Sequence, residues 1–489
     1  MQTCYLAVDI GASSGRHIIG TVEHGVMALH EVYRFENRLI EKNGHLCWDM
    51  EGLVQNVIEG LKAAHDAGYT PTTVGIDTWA VDFLLLEADG TPIGDPVAYR
   101  DGRTAAMREE LEPILPFTKL YARTGIQYQS FNTVYQLCAL KKEHPEQLAA
   151  AEHFLMVPDY LNYRLTGVMA NEYTNASTTA LVGAISKDWD DEIINRLGLP
   201  RKIFGRISTP GTKLGNLSSA VKDYVGFDCT VVLPATHDTG SAFLAVPARD
   251  DKAVYLSSGT WSLLGTELDA PILTADSCQS GLSNELGANG KINYLKNIIG
   301  LWLIQESRRE YKRRGQAYSF AELEQQALAA EPLRSFIDPD APEFVAPGDL
   351  PGRIQEFCRK TGQPVPETVG AVMRCIYESL ALKYRYAIEQ LSAVTGRAFT
   401  TLHVLGGGTK DRLLCQMTAD CCGLTVKAGP VEATALGNIM IQLKALGLLD
   451  SITQGRRLIA ETEVIKTYTP STQNYAEWNA AYDRFKTLL

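Results

Sequence analysis

The chain has 489 residues, too long for one ordinary hydrophobic core, and its length predicts roughly two to three domains. With 45% hydrophobic and 21% charged residues, it has the composition of a globular protein in water, not of a disordered or membrane-embedded one. Its formal net charge of −11 argues against nucleic acid or an anionic membrane as the main partner, although backbone amides can still bind phosphate ligands locally.

The chain start and the cysteines indicate where the protein works. Met1 leads into the apolar run CYLAVDI without a basic region, and no apolar stretch is long enough to cross a bilayer. The ten cysteines lack the spacing typical of zinc sites, so we expect free thiols in the cytoplasm. Cys358 and Cys375 lie on neighbouring predicted helices and could approach each other, but two separate core thiols are the favoured interpretation.

The first predicted elements form a β-meander. CYLAVDI alternates in the manner of a strand, residues 11–16 turn the chain, and HIIGTVE and VMALHEVYRF follow as strands. The turn is not a P-loop, because GxxxxGK[ST] is absent and a strand follows. Its small residues would let backbone amides approach an anion, Arg16 would add a forked positive charge, and Asp9 would hold a hydrated cation. A polar hairpin without a ligand is the alternative.

A second candidate site follows the amphipathic helix predicted over residues 53–68. TTVGIDTWAVDFLLLEADG predicts two short strands around residues 77–82. Carboxylates accept hydroxyl protons and an indole packs on a carbon face, so Trp79 and Asp82 suit a polyhydroxylated ligand. Alternatively, Trp79 is a core residue and Asp82 a turn former. Helical segments occupy much of 104–200.

The segment VVLPATHDTGSAFLAV, residues 231–246, places an imidazole and a carboxylate where a buried strand ends and a helix begins. In open α/β sheets, ligands bind at this carboxyl edge. The alternative is an ordinary turn with Asp238 as the helix N-cap. The polar link PARDD, residues 247–251, then marks the best domain boundary.

The second half of the chain repeats the opening pattern. AVYLSSGTWSLLGTEL predicts a strand, a small turn at 257–260 and a returning strand, which indicates two lobes of similar topology. KNIIGLWLIQESRREYKRR predicts a helix with Asn297 near its start and Gln305 near its middle. Ser319 and Glu322 form a capping-box pattern, and residues 367–396 predict a long helix. The triple glycine 406–408, between a strand and a helix, is typical of nucleotide binding, a tight turn being the alternative.

Taken in order, AVDIGASSGR, HDTGSA, YLSSGTWS, LGGGTKDRLL and GPVEATALGN resemble the FGGY carbohydrate kinases of the actin-like ATPase superfamily over essentially the full length. The resemblance implies an α/β fold of two actin-like (ribonuclease H-like) lobes, each a mixed sheet flanked by helices, with the active site in the cleft between them. Residues 1–246 would hold the sugar, the catalytic base and the first phosphate hairpin. Residues 247–489 would bind the nucleotide.

The resemblance also implies that ATP phosphorylates a ketose hydroxyl, with Asp238 as the general base and Mg²⁺ held through water by Asp9 and Asp238. The residues implied to contact ATP are Ala12, Ser13, Ser14, Gly15, Arg16, Thr260, Gln305 and Gly407. Those implied to line the sugar site are Ala80, His237, Asp238, Thr239 and Asn297, to which residue chemistry adds Trp79 and Asp82.

Within the family, GIDTWAVDF, PVAYRDGRT and VPDYLNYRLTG resemble the members that phosphorylate carbon 1 of L-rhamnulose. Two departures from the family patterns matter: the first weakens the assignments to glycerol and xylulose, and the second leaves the exact sugar open. FNTVYQLCALKKE lacks the K-x-x-W pattern of the members acting on glycerol and xylulose, and Ala80 replaces a glycine common in the L-rhamnulose branch. The alternatives are a kinase for L-fuculose, xylulose or another acceptor, or a non-catalytic actin-like nucleotide-binding protein. We expect a monomer or weak dimer, without nucleic acid or membrane partners.

Overall fold

The computed structural model describes residues 3–248, 250–471 and 473–489. The chain divides into two compact units, each assembled from three segments. The first comprises Met1–Pro247, Glu267–Tyr294 and Ala433–Thr462, and the second comprises Ala248–Thr266, Leu295–Glu432 and Glu463–Leu489. The predicted link PARDD includes Arg249, which lies outside the described residues. The assignment of functional lobes to 1–246 and 247–489 stays a prediction.

The strands in chain order are β1 (Cys4–Ile10), β2 (Ser14–Glu23), β3 (Val26–Glu36), β4 (Leu39–Lys42), β5 (His45–Trp48), β6 (Thr73–Thr78), β7 (Phe83–Leu86), β8 (Pro92–Ile93), β9 (His153–Met156), β10 (Asn171–Glu172), β11 (Ile207–Ser208), β12 (Lys213–Asn216), β13 (Thr230–Val232), β14 (Ala253–Ser258), β15 (Trp261–Leu268), β16 (Ser283–Leu286), β17 (Ile292–Ile299), β18 (Thr401–Leu405), β19 (Thr425–Ala428) and β20 (Lys466–Tyr468).

The α-helices are α1 (Met50–Asp66), α2 (Met107–Leu111), α3 (Phe117–Thr124), α4 (Thr133–Glu143), α5 (Pro145–Ala150), α6 (Val157–Thr166), α7 (Tyr173–Ser177), α8 (Asp191–Arg196), α9 (Ser219–Val225), α10 (Asp238–Leu244), α11 (Ala275–Gln279), α12 (Trp302–Arg313), α13 (Phe320–Ala329), α14 (Leu350–Lys360), α15 (Val369–Thr395), α16 (Arg412–Cys422), α17 (Ala433–Ala445), α18 (Ile452–Thr462) and α19 (Tyr475–Lys486).

The first unit is organised around a mixed sheet with the strand order β12–β13–β6–β1–β2–β3. β1, β2 and β3 pair antiparallel, so the predicted meander is confirmed, while β6 lies parallel to both β1 and β13. The alternating residues Leu6, Val8 and Ile10 are fully buried in one core with apolar residues of α1 and α6. The apolar alternation seen in the sequence therefore places one face of the central strand against helices.

On the sheet, α17 is held by a buried polar network. Asn438 Nδ2 donates to the Gly75 carbonyl at 3.0 Å, and Gln442 Nε2 donates to the Leu6 carbonyl at 2.9 Å. Thr73 Oγ1 donates to Gln442 Oε1 at 2.6 Å. A Cβ at Gly75 would lie 2.4 Å from Asn438 Oδ1, so only glycine lets the helix come this close.

In the second unit, β14 pairs antiparallel with β15 and parallel with β18. β19 continues the sheet in parallel, and β20 closes it antiparallel. The predicted sequence of strand, triple glycine, helix and strand is confirmed as β18, a 3₁₀ turn at Gly406–Lys410, α16 and β19. The Ser319–Glu322 capping box is also present, and α15 ends at Thr395 with Gly396 as its C-cap, within one residue of the predicted end.

One predicted helix boundary is wrong. Residues 296–299 belong to strand β17, and the helix begins only at Trp302, so Asn297 lies on a strand and not at a helix start. The break occurs at Gly300, whose N–H donates to the Thr260 carbonyl at 3.1 Å. A Cβ at Gly300 would lie 2.9 Å from the Ser262 amide. Residues 296–299 therefore pair in the sheet, although the spacing of their apolar residues predicts a helix.

Two predictions about the whole chain are also answered. All ten cysteines, including Cys358 and Cys375, are free thiols. Over the ranges that the structure describes, no helix is both long and apolar enough to cross a membrane.

Candidate active site

The carboxyl ends of three parallel strands meet at one edge of the first unit's sheet. Asp9 in β1 lies directly opposite Asp77 in β6. Beyond β13, the Thr78 amide donates to the Thr236 carbonyl at 2.9 Å, and Thr78 forms a parallel bridge with His237. This edge is where an open α/β sheet places its ligands, and it gathers acidic residues from three separate parts of the sequence.

Asp238 is the first residue of α10, and its side chain is 32% exposed, whereas that of His237 is 7% exposed. Oδ1 accepts from the Thr239 amide at 2.5 Å and from Thr239 Oγ1 at 3.2 Å. The N-cap position itself belongs to His237, so Asp238 is not the cap residue. Burial raises the pKa of Asp238. The charge of His237 lowers this pKa and the charge of Asp9 raises it, so that the net change is an increase. The carboxylate is thus a stronger base than an ordinary aspartate.

His237 lies between two carboxylates. Its Nδ1 is 3.2 Å from Glu285 Oε2, and its Nε2 is 3.6 Å from Asp238 Oδ1. Burial alone would lower the pKa of His237, but the charge and hydrogen bonding of Glu285, followed by the charge of Asp238, produce a net increase. The two carboxylates therefore raise the pKa of His237 by more than burial lowers it. Glu285 is a residue that the sequence did not single out.

Glu172 is a second residue that the sequence did not predict, and it holds the segment before Asp238. Its fully buried carboxylate accepts from the Thr236 amide at 3.1 Å and from Thr236 Oγ1 at 2.6 Å. The same carboxylate caps α7 by accepting from the amides of Thr174 and Asn175. In the sequence, Glu172 belongs to the polar stretch NEYTNASTT, residues 171–179. A glutamate before a short helix can indicate a helix cap, but nothing in this stretch indicates the contact with Thr236.

The first hairpin has the form that the sequence predicts. The Gly11 amide donates to the Ser14 carbonyl at 2.9 Å across the turn, and Arg16 Nη2 donates to Asp9 Oδ2 at 2.5 Å. Ala12 and Ser14 are half-buried and Ser13 is exposed, whereas Gly15 is buried. A Cβ at Gly15 would lie 2.1 Å from the Phe35 ring, which explains this glycine by packing. Arg16 and the turn therefore lie beside the aspartates of the sheet edge.

Asp9 and Asp77 place two carboxyl groups side by side at this edge, and carboxylate oxygens are the donors that a magnesium ion would use. Asp77 Oδ2 accepts from Asn438 at 2.6 Å, but the buried Oδ1 has no hydrogen-bond partner among the described residues. Burial and the nearby charge of Asp9 raise the pKa of Asp77 well above its usual range. In the described part of the chain, no group of three or more His, Cys, Asp or Glu side chains could hold a metal alone. Mg²⁺ commonly needs only one or two carboxylates, together with water and phosphate.

Asp82 is buried and holds two tryptophans. Its Oδ2 accepts from Trp48 Nε1 at 2.6 Å, Trp79 Nε1 at 3.0 Å and the Tyr99 amide at 3.1 Å, and its Oδ1 accepts from Gln136 at 2.9 Å. Burial raises the pKa of Asp82 despite these donors. The indoles of Trp48 and Trp79 lie 4.2 Å apart between ring centroids. Asp82 therefore fixes the orientation of these two indoles, and Trp79 is itself buried. The pair of indoles forms an aromatic wall.

The backbone of the turn between Trp79 and Asp82 is strained at Val81. Val81 has a φ of +70°, which is a genuine outlier for a β-branched residue. Its carbonyl accepts from Thr133 Oγ1 at 2.7 Å and from Gln136 Nε2 at 3.2 Å, so the turn is held by α4. The half-buried Ala80 comes just before this turn. Strained residues of this kind concentrate at ligand sites.

The predicted nucleotide residues of the second unit lie in two turns and on one helix. Thr260 follows β14, and its carbonyl accepts from the amides of Gly300 and Trp302. A Cβ at Gly408 would lie 2.0 Å from Ser258 Oγ, whereas a Cβ at Gly407 would meet no described atom within 4 Å. Gly408 is thus required by packing, whereas Gly407 faces open space. Gln305 lies half-buried on α12.

The predicted site residues fall into two groups. Those of the first unit are Asp9, Ala12, Ser13, Ser14, Gly15, Arg16, Trp79, Ala80, Asp82, His237, Asp238 and Thr239, and those of the second unit are Thr260, Asn297, Gln305 and Gly407. The individual roles of these residues stay predictions.

Comparison with known proteins identifies the family. Models of the N-terminal and C-terminal domains of the FGGY family of carbohydrate kinases match residues 4–245 and 254–446. The chain is 47% identical to a rhamnulokinase of Halalkalibacterium halodurans over 95% of this chain and 98% of the relative. It is 45% identical to a rhamnulokinase of Bacteroides thetaiotaomicron over 100% of both chains.

Solved structures share the fold at low sequence identity. A ligand-bound xylulose kinase from Lactobacillus acidophilus has a TM-score of 0.83 at 16% identity, covering 99% of this chain and 97% of that one. A gluconate kinase from the same organism has a TM-score of 0.83 at 15% identity, covering 100% and 98%. The predicted two-domain α/β fold, with mixed sheets flanked by helices, is therefore confirmed. The chain belongs to the FGGY family of carbohydrate kinases.

Proposed function

We propose that this chain transfers the γ-phosphoryl group of ATP to the hydroxyl on carbon 1 of L-rhamnulose. Asp238 carries the proposal, because it is a partly exposed carboxylate with a raised pKa at the ligand-binding edge of the sheet. The relatives named rhamnulokinase, which match along nearly the whole chain, support the choice of sugar. We expect the reaction to take place in the cytoplasm.

In the proposed reaction Asp238 accepts the proton of the attacking sugar hydroxyl. The new bond joins that oxygen to the γ-phosphorus, the bond from phosphorus to the β-phosphate oxygen breaks, and ADP leaves. A general base contributes a factor of about 10²–10⁴ to the rate, and its efficiency rises as its pKa approaches the working pH. The raised pKa of Asp238 fits this task.

The remaining acceleration comes from positioning and charge, since phosphoryl transfer requires little covalent chemistry from the protein. The backbone of Ala12, Ser13, Ser14 and Gly15 would bind the β- and γ-phosphates, and Arg16 would face the developing charge. Asp9 and Asp238 would hold Mg²⁺ through water, and the bound ion neutralises charge on the phosphate oxygens. Thr260, Gln305 and Gly407 are the proposed contacts to ATP in the second unit.

The sugar would contact Trp79, Ala80, Asp82, His237, Thr239 and Asn297. Trp79 is fixed by Asp82, and Ala80 precedes the strained Val81, so this wall keeps its shape when a ligand enters. The methyl of Ala80 replaces a hydrogen in members that commonly have glycine, and it narrows the proposed pocket. We therefore expect the side chain of Ala80 to influence which ketose the pocket accepts.

The test is a panel of L-rhamnulose, L-fuculose, D-xylulose and glycerol, each with ATP and Mg²⁺, measured by ADP release. We expect the highest kcat/KM with L-rhamnulose. The variant Asp238→Asn should lose a factor of about 10²–10⁴ in kcat and keep its affinity for ATP. The exposed Asp269→Asn is the matched control and should behave like the unmodified protein.

Each alternative has its own outcome in this panel. Equal kcat/KM for all the ketoses would contradict the assignment of L-rhamnulose. Nucleotide binding without turnover of any acceptor would favour the non-catalytic alternative. A near-normal kcat in Asp238→Asn would remove Asp238 from the role of base.

A further inference from the structure

A cavity of about 550 Å³ lies in the first unit, and its lining includes none of the predicted active-site residues. Small-molecule sites typically have volumes of about 300–1,000 Å³. Three basic side chains line this cavity, namely Lys187, Arg206 and Lys444. They come from three distant parts of the sequence, so only the fold brings them together.

The charge of the lining is positive in a chain whose formal net charge is −11. Asp188 is the acidic residue of the lining, and its Oδ1 accepts from the Trp189 amide at 2.8 Å. Lys187 Nζ donates to the Gly290 carbonyl at 3.2 Å. Within the described ranges, none of the three cations pairs with a carboxylate. The lining carries three positive charges and one negative charge, so that it favours an anion. The excess of two positive charges matches the two negative charges of a phosphate dianion.

The backbone of the lining is strained at two positions. Lys187 has a φ of +57° and Asn289 a φ of +63°, both in the left-handed region that non-glycine residues rarely adopt. The contact from Lys187 Nζ to Gly290 O joins these two segments. Such conformations cost about 1–3 kcal/mol each and concentrate at ligand sites. Two of the non-glycine residues with left-handed backbone therefore lie in this lining.

Two of the three cations lie on or beside regular elements of the fold. Arg206 precedes β11, which pairs in parallel with β10, the strand that ends in Glu172. Lys444 is on α17, the helix that Asn438 and Gln442 attach to the central sheet. The backbone at Lys444, and the backbone next to Arg206, is therefore held by buried hydrogen bonds and by strand pairing.

We propose that this cavity binds a phosphorylated small metabolite, with Arg206 and Lys444 facing the phosphate. A guanidinium presents two parallel donors that match phosphate oxygens. The volume exceeds the needs of a phosphate ion, and Ser186, Thr209 and Asn289 offer hydrogen bonds to the hydroxyls of an attached polyol. Free inorganic phosphate shares the anionic chemistry, and the experiment separates the two.

The test is calorimetric titration of the full chain with glucose 6-phosphate, in the presence of ADP to fill the nucleotide site. We expect saturable binding of one molecule per chain and no binding of neutral glucose. Inorganic phosphate should bind at least about tenfold more weakly, because it lacks the polyol hydrogen bonds. Equal affinity for inorganic phosphate would overturn the assignment of a phosphorylated metabolite. Displacement of glucose 6-phosphate by L-rhamnulose would place the binding in the active site and overturn the proposal.

Charge-removing variants locate the site. Arg206→Gln and Lys444→Gln should each weaken glucose 6-phosphate binding about tenfold, since each removes a charge-assisted hydrogen bond. The exposed Lys213→Gln, outside the lining, is the matched control and should bind normally. All three variants should keep the kinase activity, which shows that they fold. No saturable binding, or unchanged affinity in both cavity variants, would overturn the proposal.

Discussion

Glu172 and Glu285 each hold a residue of the segment 236–238 without belonging to it. Glu172 accepts from Thr236 across 64 residues of sequence, and Glu285 pairs with His237 through an ion pair of 3.2 Å. Both carboxylates are almost completely buried. The position and charge state of the proposed base therefore depend on residues that no spacing around Asp238 indicates.

His17 gives a residue-level prediction about pH. It is fully buried, its Nε2 donates to the Val57 carbonyl at 3.0 Å, and burial lowers its pKa from 6.5 to about 4. Because the folded state disfavours the protonated ring, the contribution of His17 to stability is present above pH 6.5. It is lost as the pH falls towards 4, and a shift of this size corresponds to about 3 kcal/mol.

The measurement is the free energy of unfolding in urea between pH 7.5 and pH 4.5. The variant His17→Gln should be less stable at pH 7.5 but should lose less stability than the unmodified protein as the pH falls. His30→Gln, at an exposed position, is the control and should keep the original pH dependence. An identical pH dependence in His17→Gln and the unmodified protein would contradict the lowered pKa.

At the level of elements, the turn Gly406–Lys410 combines packing and a proposed nucleotide contact in adjacent glycines. Gly406 has a φ of +77°, so the turn requires glycine there for conformational reasons. Gly408 has no room for a Cβ because of Ser258, whereas Gly407 has open space. Conformation thus explains Gly406 and packing explains Gly408, whereas Gly407 is the glycine proposed to contact the nucleotide.

This difference predicts opposite phenotypes for two alanine variants. Gly408→Ala should lower the free energy of unfolding by about 1–3 kcal/mol, because the new methyl overpacks against Ser258. Gly407→Ala should change stability by less than about 1 kcal/mol and raise the KM for ATP without changing the KM for the ketose. The measurements are urea unfolding and steady-state kinetics. An unchanged KM for ATP in Gly407→Ala would remove that residue from the nucleotide site.

At the level of the whole molecule, each compact unit takes three separate segments of the chain. The first unit recruits α17 and α18 from beyond residue 432, and α17 supplies Asn438 to Asp77 across 361 residues. Truncation of the chain before residue 433 would remove a hydrogen-bond donor from the acidic edge of the sheet. Ligand binding is therefore a property to be measured on the full chain.

Binding of ATP should stabilise the full chain by mass action. At a free concentration one hundred times its Kd, ATP with Mg²⁺ should add about 2.7 kcal/mol to the free energy of unfolding. The variant Asp238→Asn is suited to the measurement, because it should bind ATP without consuming it. The readout is the thermal midpoint across an ATP titration, with NAD⁺ as the control that should have no effect. A midpoint that does not respond to millimolar ATP would contradict nucleotide binding.

Local patterns in the sequence were sufficient to predict several elements. Apolar alternation in CYLAVDI, the small turn before Arg16 and the glycines after β18 indicated the meander, the hairpin and the glycine turn, because strand burial and turn geometry depend on near neighbours. The order of these motifs also indicated the family. Asp238 became a candidate from its place after an apolar run, but its role as general base rests on the family resemblance and stays a prediction.

The distant groups that surround these motifs became known only from the folded chain. Strand pairing placed Asn297 on β17 where the sequence predicted a helix, and the buried contacts of Glu172, Glu285 and Asn438 had no counterpart in local spacing. Lys187, Arg206 and Lys444 likewise share a cavity only after folding. Burial, pKa shifts and long-range hydrogen bonds depend on which segments the topology brings together, and that information is not contained in any short stretch of chain.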